Sequence, residues 1–320
     1  MADFPVPRLE SCLVVANPRA GSVTRELIDD VAERCARHAE VRLAWTAGPG
    51  DATAIAAQEA AVARSSGVRV VVAVGGDGTV LEVVEGLVGD GRAPDGVALL
   101  VVPGGTGNSD YRSHWGERPW QQSLEQALGD GTVTPRRLDL ARVRESGELI
   151  VLGAGVGLTA EVLRSARGIE LRGKDRLRAG LDHAATHYTP FPGRVTVDGI
   201  VVHKGETVLA NVGGGRHRAW QFLVLPDSVL DDGLLDVCVM GAEVPATDVP
   251  ELLRTGAHVG LDATVYTRGR RVVLERTDGQ PLCFEHDGEL IADCGSRLTV
   301  DVLPGALPVL CAPADPSDPR

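Results

Sequence analysis

The sequence predicts an α/β domain followed by a mainly antiparallel β domain. Three observations carry this. Short apolar runs alternate with stretches of helical period over the first third of the chain. The remainder is a succession of short β-like runs broken by Gly and Asp. Gly-rich or Asn-Pro loops stand directly behind three of the early apolar runs. Strands alternating with helices imply a parallel sheet covered on both faces, whereas hairpin-like runs imply antiparallel pairing.

In chain order, residues 12–16 (CLVVA) read as a buried strand ending in a turn at Asn17-Pro18. Residues 22–38 read as a helix, with Leu27, Val31 and Cys35 four apart on one face. Residues 41–46 form a second strand, and residues 51–65 an Ala-rich helix that Asp51 is expected to cap. Residues 68–74 (VRVVVAV) are a continuous apolar strand, 80–88 a short helix, 97–102 (VALLVV) another buried strand and 120–128 another helix. From Arg136 the β-like runs LDLARV, ELIVLGAGV, GRVTVDG, ETVLANVGG, QFLVLP, LLDVCVM, RVVLER and RLTVDVLP follow, interrupted by helical stretches over 159–187 and 248–258. The expected division is an α/β domain over 1–135, to which 304–312 returns, and a β-rich domain over 136–303. The Pro- and Asp-rich tail 313–320 is expected to be disordered.

At 320 residues the chain is long enough for two cores. Its net charge of -12 repels phosphate backbones and argues against nucleic acid as a partner. It also argues against a broadly basic membrane-binding face, while leaving room for a local patch. Lysine occurs only at Lys174 and Lys204. The six cysteines, at 12, 35, 238, 283, 294 and 311, have no metal-ligand spacing and read as reduced core thiols of a cytoplasmic protein. The first ten residues lack a signal-peptide apolar region, and no apolar run approaches ~18 residues. Any membrane contact is therefore expected to be peripheral, at the inner face. A homodimer is left open.

The sharpest motif is Gly75-Gly76-Asp77-Gly78-Thr79, which follows a buried strand and opens a helix. Glycines let the backbone turn tightly and bring N–H groups against an anion, and a helix N-terminus adds partial positive charge. Asp77 cannot itself attract phosphate. Beside a triphosphate it makes sense as a magnesium partner or as an orienter of the phosphates. Pro103-Gly104-Gly105-Thr106-Gly107-Asn108 follows a second buried strand, and Asn17-Pro18-Arg19-Ala20-Gly21 a third. Loops at the carboxyl ends of parallel strands are where open α/β sheets bind ligands.

The succession Asn-Pro-x-x-Gly, Gly-Gly-Asp-Gly-Thr and Pro-x-Gly-Thr-Gly-Asn resembles the catalytic domain of the diacylglycerol kinase family, which includes sphingosine and ceramide kinases and soluble bacterial lipid kinases. The likeness continues through Asn211, the glycines at 213–215, Leu225-Pro226 and Asp231-Asp232-Gly233-Leu234-Leu235-Asp236, and ends at Asp287-Gly288-Glu289. The Gly-Gly-Asp-Gly-Thr element alone is shared with NAD kinases and phosphofructokinase-like enzymes; the later elements favour the lipid-kinase branch. The resemblance implies a three-layer NAD-kinase/phosphofructokinase-like first domain and ATP as the phosphoryl donor. The implied ATP contacts are Asn17, Pro18, Gly21, Thr46, Gly75, Gly76, Asp77, Gly78, Thr79, Gly105, Thr106 and Asn108. It further implies a base at Glu289, with Asp287 close behind, and a structural Mg²⁺ held by Asp232 and the carbonyls of Val229 and Leu234. The acceptor implied is a lipid hydroxyl, on diacylglycerol, a sphingoid base or a relative. Aromatic residues are only 3% of the chain and residues 217–221 are polar, which leaves a soluble hydroxyl metabolite or a nucleotide such as NAD as an alternative. Intact Asp77, Asp287 and Glu289 speak against a third alternative, an inactive lipid- or nucleotide-binding module.

Other motifs are weaker. Gly153-Ala154-Gly155-Val156-Gly157 imitates a dinucleotide fingerprint but lacks its last glycine, so a tight turn or cleft-facing loop is expected. Gly168 to Lys174 nearly matches a P-loop, but Asp175 stands where Ser or Thr is required; Lys174 reads as a solvated helix charge. His286 reads as a turn-packing residue. Leu163, Leu171, Leu177 and Leu181 are candidates either to line a lipid acceptor site or to pack internally.

Overall fold

Val70, Val71, Val72, Ala73 and Val74 are completely buried, as a strand covered on both faces must be. They belong to a computed structural model that describes residues 8–63, 67–129, 133–219, 221–291 and 294–313. The chain forms two units, one running up to Leu138 and resuming at Gly305, the other spanning Asp139–Pro304.

The first unit contains β1 (Leu9–Ala16), α1 (Arg25–Ala36), β2 (Glu40–Trp45), α2 (Asp51–Val62), β3 (Val68–Gly75), α3 (Asp77–Val88), β4 (Val97–Pro103), α4 (Ser109–Trp115) and α5 (Trp120–Leu128). Its strands pair in parallel in the order β2-β1-β3-β4. Helices α1 and α5 pack together, as do α2 and α3, giving the helix–sheet–helix layering expected. Asp51 is not the cap of α2. Gly50 holds that position at φ 83°, and the Asp51 carboxylate accepts the N–H groups of Ala47 and Gly48 instead. Helix α3 begins at Asp77, earlier than the apolar period suggests. Helix α4 has no counterpart in the sequence reading, because seven residues carry too little period to register.

The second unit begins within β5 (Arg136–Val143) and continues with β6 (Leu149–Ile150), β7 (Gly153–Gly157), α6 (Leu158–Arg167), α7 (Gly173–His187), β8 (Phe191–Val197) and β9 (Ile200–Gly213). Then come β10 (His217–Arg218), β11 (Phe222–Leu223), β12 (Leu235–Gly241), α8 (Val249–Thr255), β13 (Thr264–Gly269), β14 (Arg271–Arg276), β15 (Phe284–His286), β16 (Glu289–Ile291) and β17 (Arg297–Val309). Pairing is antiparallel throughout β16-β15-β7-β9-β8-β14-β17, with β12 joining β9 to β13. β17 starts in the second unit, where it pairs with β14, and ends in the first, where Val309 pairs in parallel with Leu99 of β4. Phe284, Leu235, Val212 and Val156 centre the core.

Two expectations need correction here. Residues 153–157 are not a turn but a fully buried strand between β9 and β15. Glycine is required because neighbours fill the space: a Cβ on Gly155 would lie 2.3 Å from Asn211 Oδ1 and 2.5 Å from Thr159 Oγ1. The helical stretch 159–187 is two helices, broken at Gly168–Arg172. Of the tail expected to be disordered, residues 314–320 lie outside the described residues.

Candidate active site

In the first unit three strand-end loops are tied together through their backbones. Asn17 N–H donates to Val74 O at 3.1 Å, Ser22 N–H to Gly104 O at 2.9 Å and Gly104 N–H to Gly75 O at 2.7 Å. Side chains reinforce this: Asn17 Nδ2 donates to Thr79 Oγ1 at 2.9 Å, and Asn17 Oδ1 accepts Arg19 N–H. The loops after β3 and β4 approach so closely that only glycine fits. A Cβ on Gly105 would sit 2.4 Å from Gly76 Cα. Thr46, buried, joins the same end of the sheet by donating its N–H to Ala16 O.

Asn108 adopts a left-handed conformation, φ 54°, before α4. Its side chain accepts from Gly105 N–H at 2.8 Å and donates to Gly105 O at 3.0 Å, so it braces the loop. Asp77 opens α3, and its Oδ1 accepts the N–H of Asp110 at 3.3 Å. Its other oxygen lies over Gly107, where a Cβ would come within 2.5 Å. No side chain caps α3 at Gly76, and Gly78 and Thr106 are exposed. Pro18 and Gly21 are exposed as well. This end of the sheet therefore offers backbone N–H groups and a helix start, which favour an anion, with the Asp77 carboxylate beside them.

In the second unit Asp287 and Gly288, at φ 47° and 84°, form the two-residue turn joining β15 to β16, the conformation for which Asp-Gly is suited. The buried Asp287 carboxylate accepts three backbone N–H groups, from Val151 at 2.8 Å, Leu152 at 2.7 Å and Gly153 at 3.2 Å. Its own N–H donates to Gly153 O. Arg218 grips the same segment from the other side, donating to Leu152 O at 3.1 Å. Glu289, by contrast, is exposed, and its carboxylate makes no hydrogen bond or ion pair among the described residues.

Sequence reasoning missed Glu285. Burial pushes its carboxyl up to about 7, Arg218 opposing and Asp287 adding to the rise. Its Oε2 accepts Gly288 N–H at 3.4 Å, and its Oε1 is one of the three side-chain oxygens gathered around Gly155. Thr159 Oγ1 and Asn211 Oδ1, 3.3 Å apart, are the others. Asn211 is wholly buried, and its Nδ2 has no hydrogen-bond partner among the described residues. His286 sits against the turn, as expected; burial alone would lower its pKa, but the hydrogen bond to Asp287 and the charges of Asp287 and Glu285 raise it. No sequence signal marks Glu285, because its burial arises from strands brought together across the fold.

The residues proposed for a structural Mg²⁺ do not fit one. Asp232 Oδ1 accepts Leu234 N–H at 2.9 Å, and Oδ2 pairs with Arg268 at 3.2 Å. A guanidinium thus supplies the positive charge that a cation would bring. Val229 and Leu234 are half-buried. Nearby Asp236 is completely buried; burial raises its pKa to about 6, against the lowering effect of Tyr266, whose hydroxyl donates to it at 2.9 Å.

This fold and these loops define a kinase of the diacylglycerol kinase type. The diacylglycerol kinase catalytic domain family matches residues 11–143, and the YegS C-terminal NAD kinase beta sandwich-like domain matches 153–311. The chain belongs to this family, among proteins named "Probable lipid kinase YegS-like". It is 30% identical to the one from Stenotrophomonas maltophilia (strain K279a) over 83% of this chain and 84% of that protein. It is 29% identical to the one from Pseudomonas aeruginosa (strain UCBPP-PA14) over 93% and 92%. A solved diacylglycerol kinase of Bacillus anthracis str. Sterne shares the fold with a TM-score of 0.69 at 20% identity, over 95% of this chain and 97% of that one. A second structure from that organism gives 0.74 at 22% identity, over 95% and 98%.

Proposed function

We propose that this kinase transfers the γ-phosphoryl group of ATP to a hydroxyl of a lipid such as diacylglycerol or a sphingoid base. The observation that carries this reading is the set of three backbone-linked loops around Asp77 in a chain of the diacylglycerol kinase family. Magnesium enters with the nucleotide, as MgATP, and neutralises charge on the transferring phosphate. Asn17, Gly75, Gly76, Gly78 and Thr106 lie along the polyphosphate, Thr46 beside the nucleoside, and Asp77 orients the phosphates. Asn108 and Thr79 hold the loops in shape.

Glu289 acts as the base. As the acceptor oxygen bonds to the γ-phosphorus and the bond to the β-phosphate oxygen breaks, the hydroxyl proton passes to Glu289 and ADP leaves. Asp287 anchors the turn that carries Glu289. Its oxygens are committed to three N–H groups, which favours Glu289 over Asp287 for the proton. A screen of ADP release over dispersed diacylglycerol, sphingoid bases, ceramide, NAD and soluble alcohols tests the acceptor class. Turnover with the lipids alone supports the reading, and turnover with NAD alone overturns it.

A further inference from the structure

Helix α7 ends in a pair of histidines. His183 and His187 are spaced i, i+4 in its last two turns, so their side chains share a face. Both are exposed, because α7 buries only Gly180, Ala184 and Ala185. Gly180 brings α6 close, since a Cβ there would lie 2.8 Å from Ala166 Cβ and from Val162 O. The two imidazoles are stacked, with ring centroids 4.5 Å apart and planes 26° from parallel.

Two further features suit this pair to a metal ion. His187 Nδ1 donates to the backbone carbonyl oxygen of His183 at 2.9 Å. That bond places a proton on Nδ1 and leaves the lone pair of the neutral ring on Nε2. Metal-ligating histidines are held in the same way, the second ring nitrogen donating to a carbonyl or carboxylate. The pair also stands at the C-terminal end of a helix of 15 residues, where the macrodipole favours positive charge.

We propose that His183 and His187 form a surface site for a divalent transition-metal ion of the Zn²⁺, Ni²⁺ and Cu²⁺ class. The ion bonds to Nε2 of His187 and to one ring nitrogen of His183, and water completes its coordination. Two histidines at i and i+4 are the spacing by which a helix presents ligands to zinc. Imidazole suits Zn²⁺, Ni²⁺ and Cu²⁺, whereas Mg²⁺ takes oxygen ligands. Binding forms two nitrogen–metal bonds of about 2.0–2.1 Å and displaces water from the ion; nothing is oxidised or reduced. Two protein ligands make a weak, exchangeable site, which fills only while the ion is supplied. Once filled, it clips together the last two turns of α7. The site is separate from the magnesium that accompanies ATP, and it rests on no part of the phosphoryl-transfer reading above.

Calorimetric titration of ZnCl₂ into the untagged full chain, its accessible thiols first alkylated, tests this without any nucleotide present. Zn²⁺ should bind, and an excess of MgCl₂ should not displace it. His183→Ala and His187→Ala should each lower the affinity by at least about tenfold, the loss seen when even a residue that only supports a metal ligand is removed. Both side chains are exposed, so the melting temperature of the metal-free variants should match wild type. Cu²⁺ should bind more tightly than Zn²⁺, and its electron paramagnetic resonance spectrum should show coupling to two imidazole nitrogens. No binding of either ion, binding undiminished in the double variant His183→Ala, His187→Ala, or a copper spectrum without two coupled nitrogens would each overturn the proposal.

Discussion

The carboxylate of Asp287 accepts the backbone N–H of Leu152 at 2.7 Å. With the bonds from Val151 and Gly153, this fastens the β15–β16 turn to the segment leading into β7. Charge-assisted hydrogen bonds of this kind are strong, and leaving their buried donors unpaired is costly. We predict that Asp287→Ala destabilises the fold by on the order of 3–5 kcal/mol. Glu289→Gln should leave the melting temperature unchanged. Denaturant unfolding of both variants checks this, and equal stability losses would remove the division of roles between them.

Glycines of the phosphate loops should separate by what surrounds them. Gly105→Ala places a Cβ 2.4 Å from Gly76 Cα, backbone that cannot rotate away, and should cost about 2 kcal/mol or more together with nucleotide affinity. Gly78→Ala meets nothing within 4 Å and lies inside α3. It should raise stability by up to about 1 kcal/mol while weakening ATP binding, because its methyl group stands where the polyphosphate approaches. Thermal unfolding and nucleotide titration of the pair provide the check.

How much of this is legible in the sequence depends on whether the signal is local. The strands of the first unit are readable because Val70 to Val74 and Val97 to Val102 are buried on both faces, and helix 120–128 because its period is intact. The phosphate loops are readable as loops because Gly, Asn and Asp mark them. Strand β7 is not, because GAGVG looks like a turn until Asn211, Thr159 and Arg218 crowd its glycines. The Arg268–Asp232 pair depends on the register of β12 against β13, and Asn108 as a brace on a left-handed residue that no local pattern announces.

Asp77→Asn should keep the fold and lower turnover by ~10²-fold or more, as expected of a group that positions phosphates. Gly107→Ala offers an independent route to the same effect, since its Cβ would displace Asp77 Oδ2 from 2.5 Å. Steady-state kinetics with parallel melting curves test both. A near-normal rate in Asp77→Asn would remove the residue from the mechanism.

Glu285 gives a signed pH dependence. Burial raises its folded pKa from 4.5 to about 7, so the folded state holds a proton that the unfolded chain has already released. Stability from this group is full below pH ~4.5 and is lost as pH rises towards ~7, a loss of about 3 kcal/mol. Glu285→Gln should flatten the fall in stability between those values. Denaturant midpoints across pH 4 to 8 measure it, and an identical slope in the variant would contradict the assignment.

Arg268 pairs with Asp232 at 3.2 Å, and we predict from this that the second unit is stable without a structural cation. An excess of chelator should leave the melting temperature of the nucleotide-free protein unchanged while abolishing turnover of MgATP. Arg268→Ala should lower stability modestly, by up to about 1 kcal/mol, because the pair is partly exposed. A chelator-induced drop in melting temperature would restore a bound metal to this turn.

The most direct measurement is the transfer of label from γ-labelled ATP into extracted lipid by wild type and Glu289→Gln, with ATP affinity determined on both. The account predicts labelled lipid from wild type, at least a hundredfold less from the variant, and nearly equal nucleotide affinity. Label appearing only in a water-soluble product, or wild-type transfer by Glu289→Gln, would contradict it.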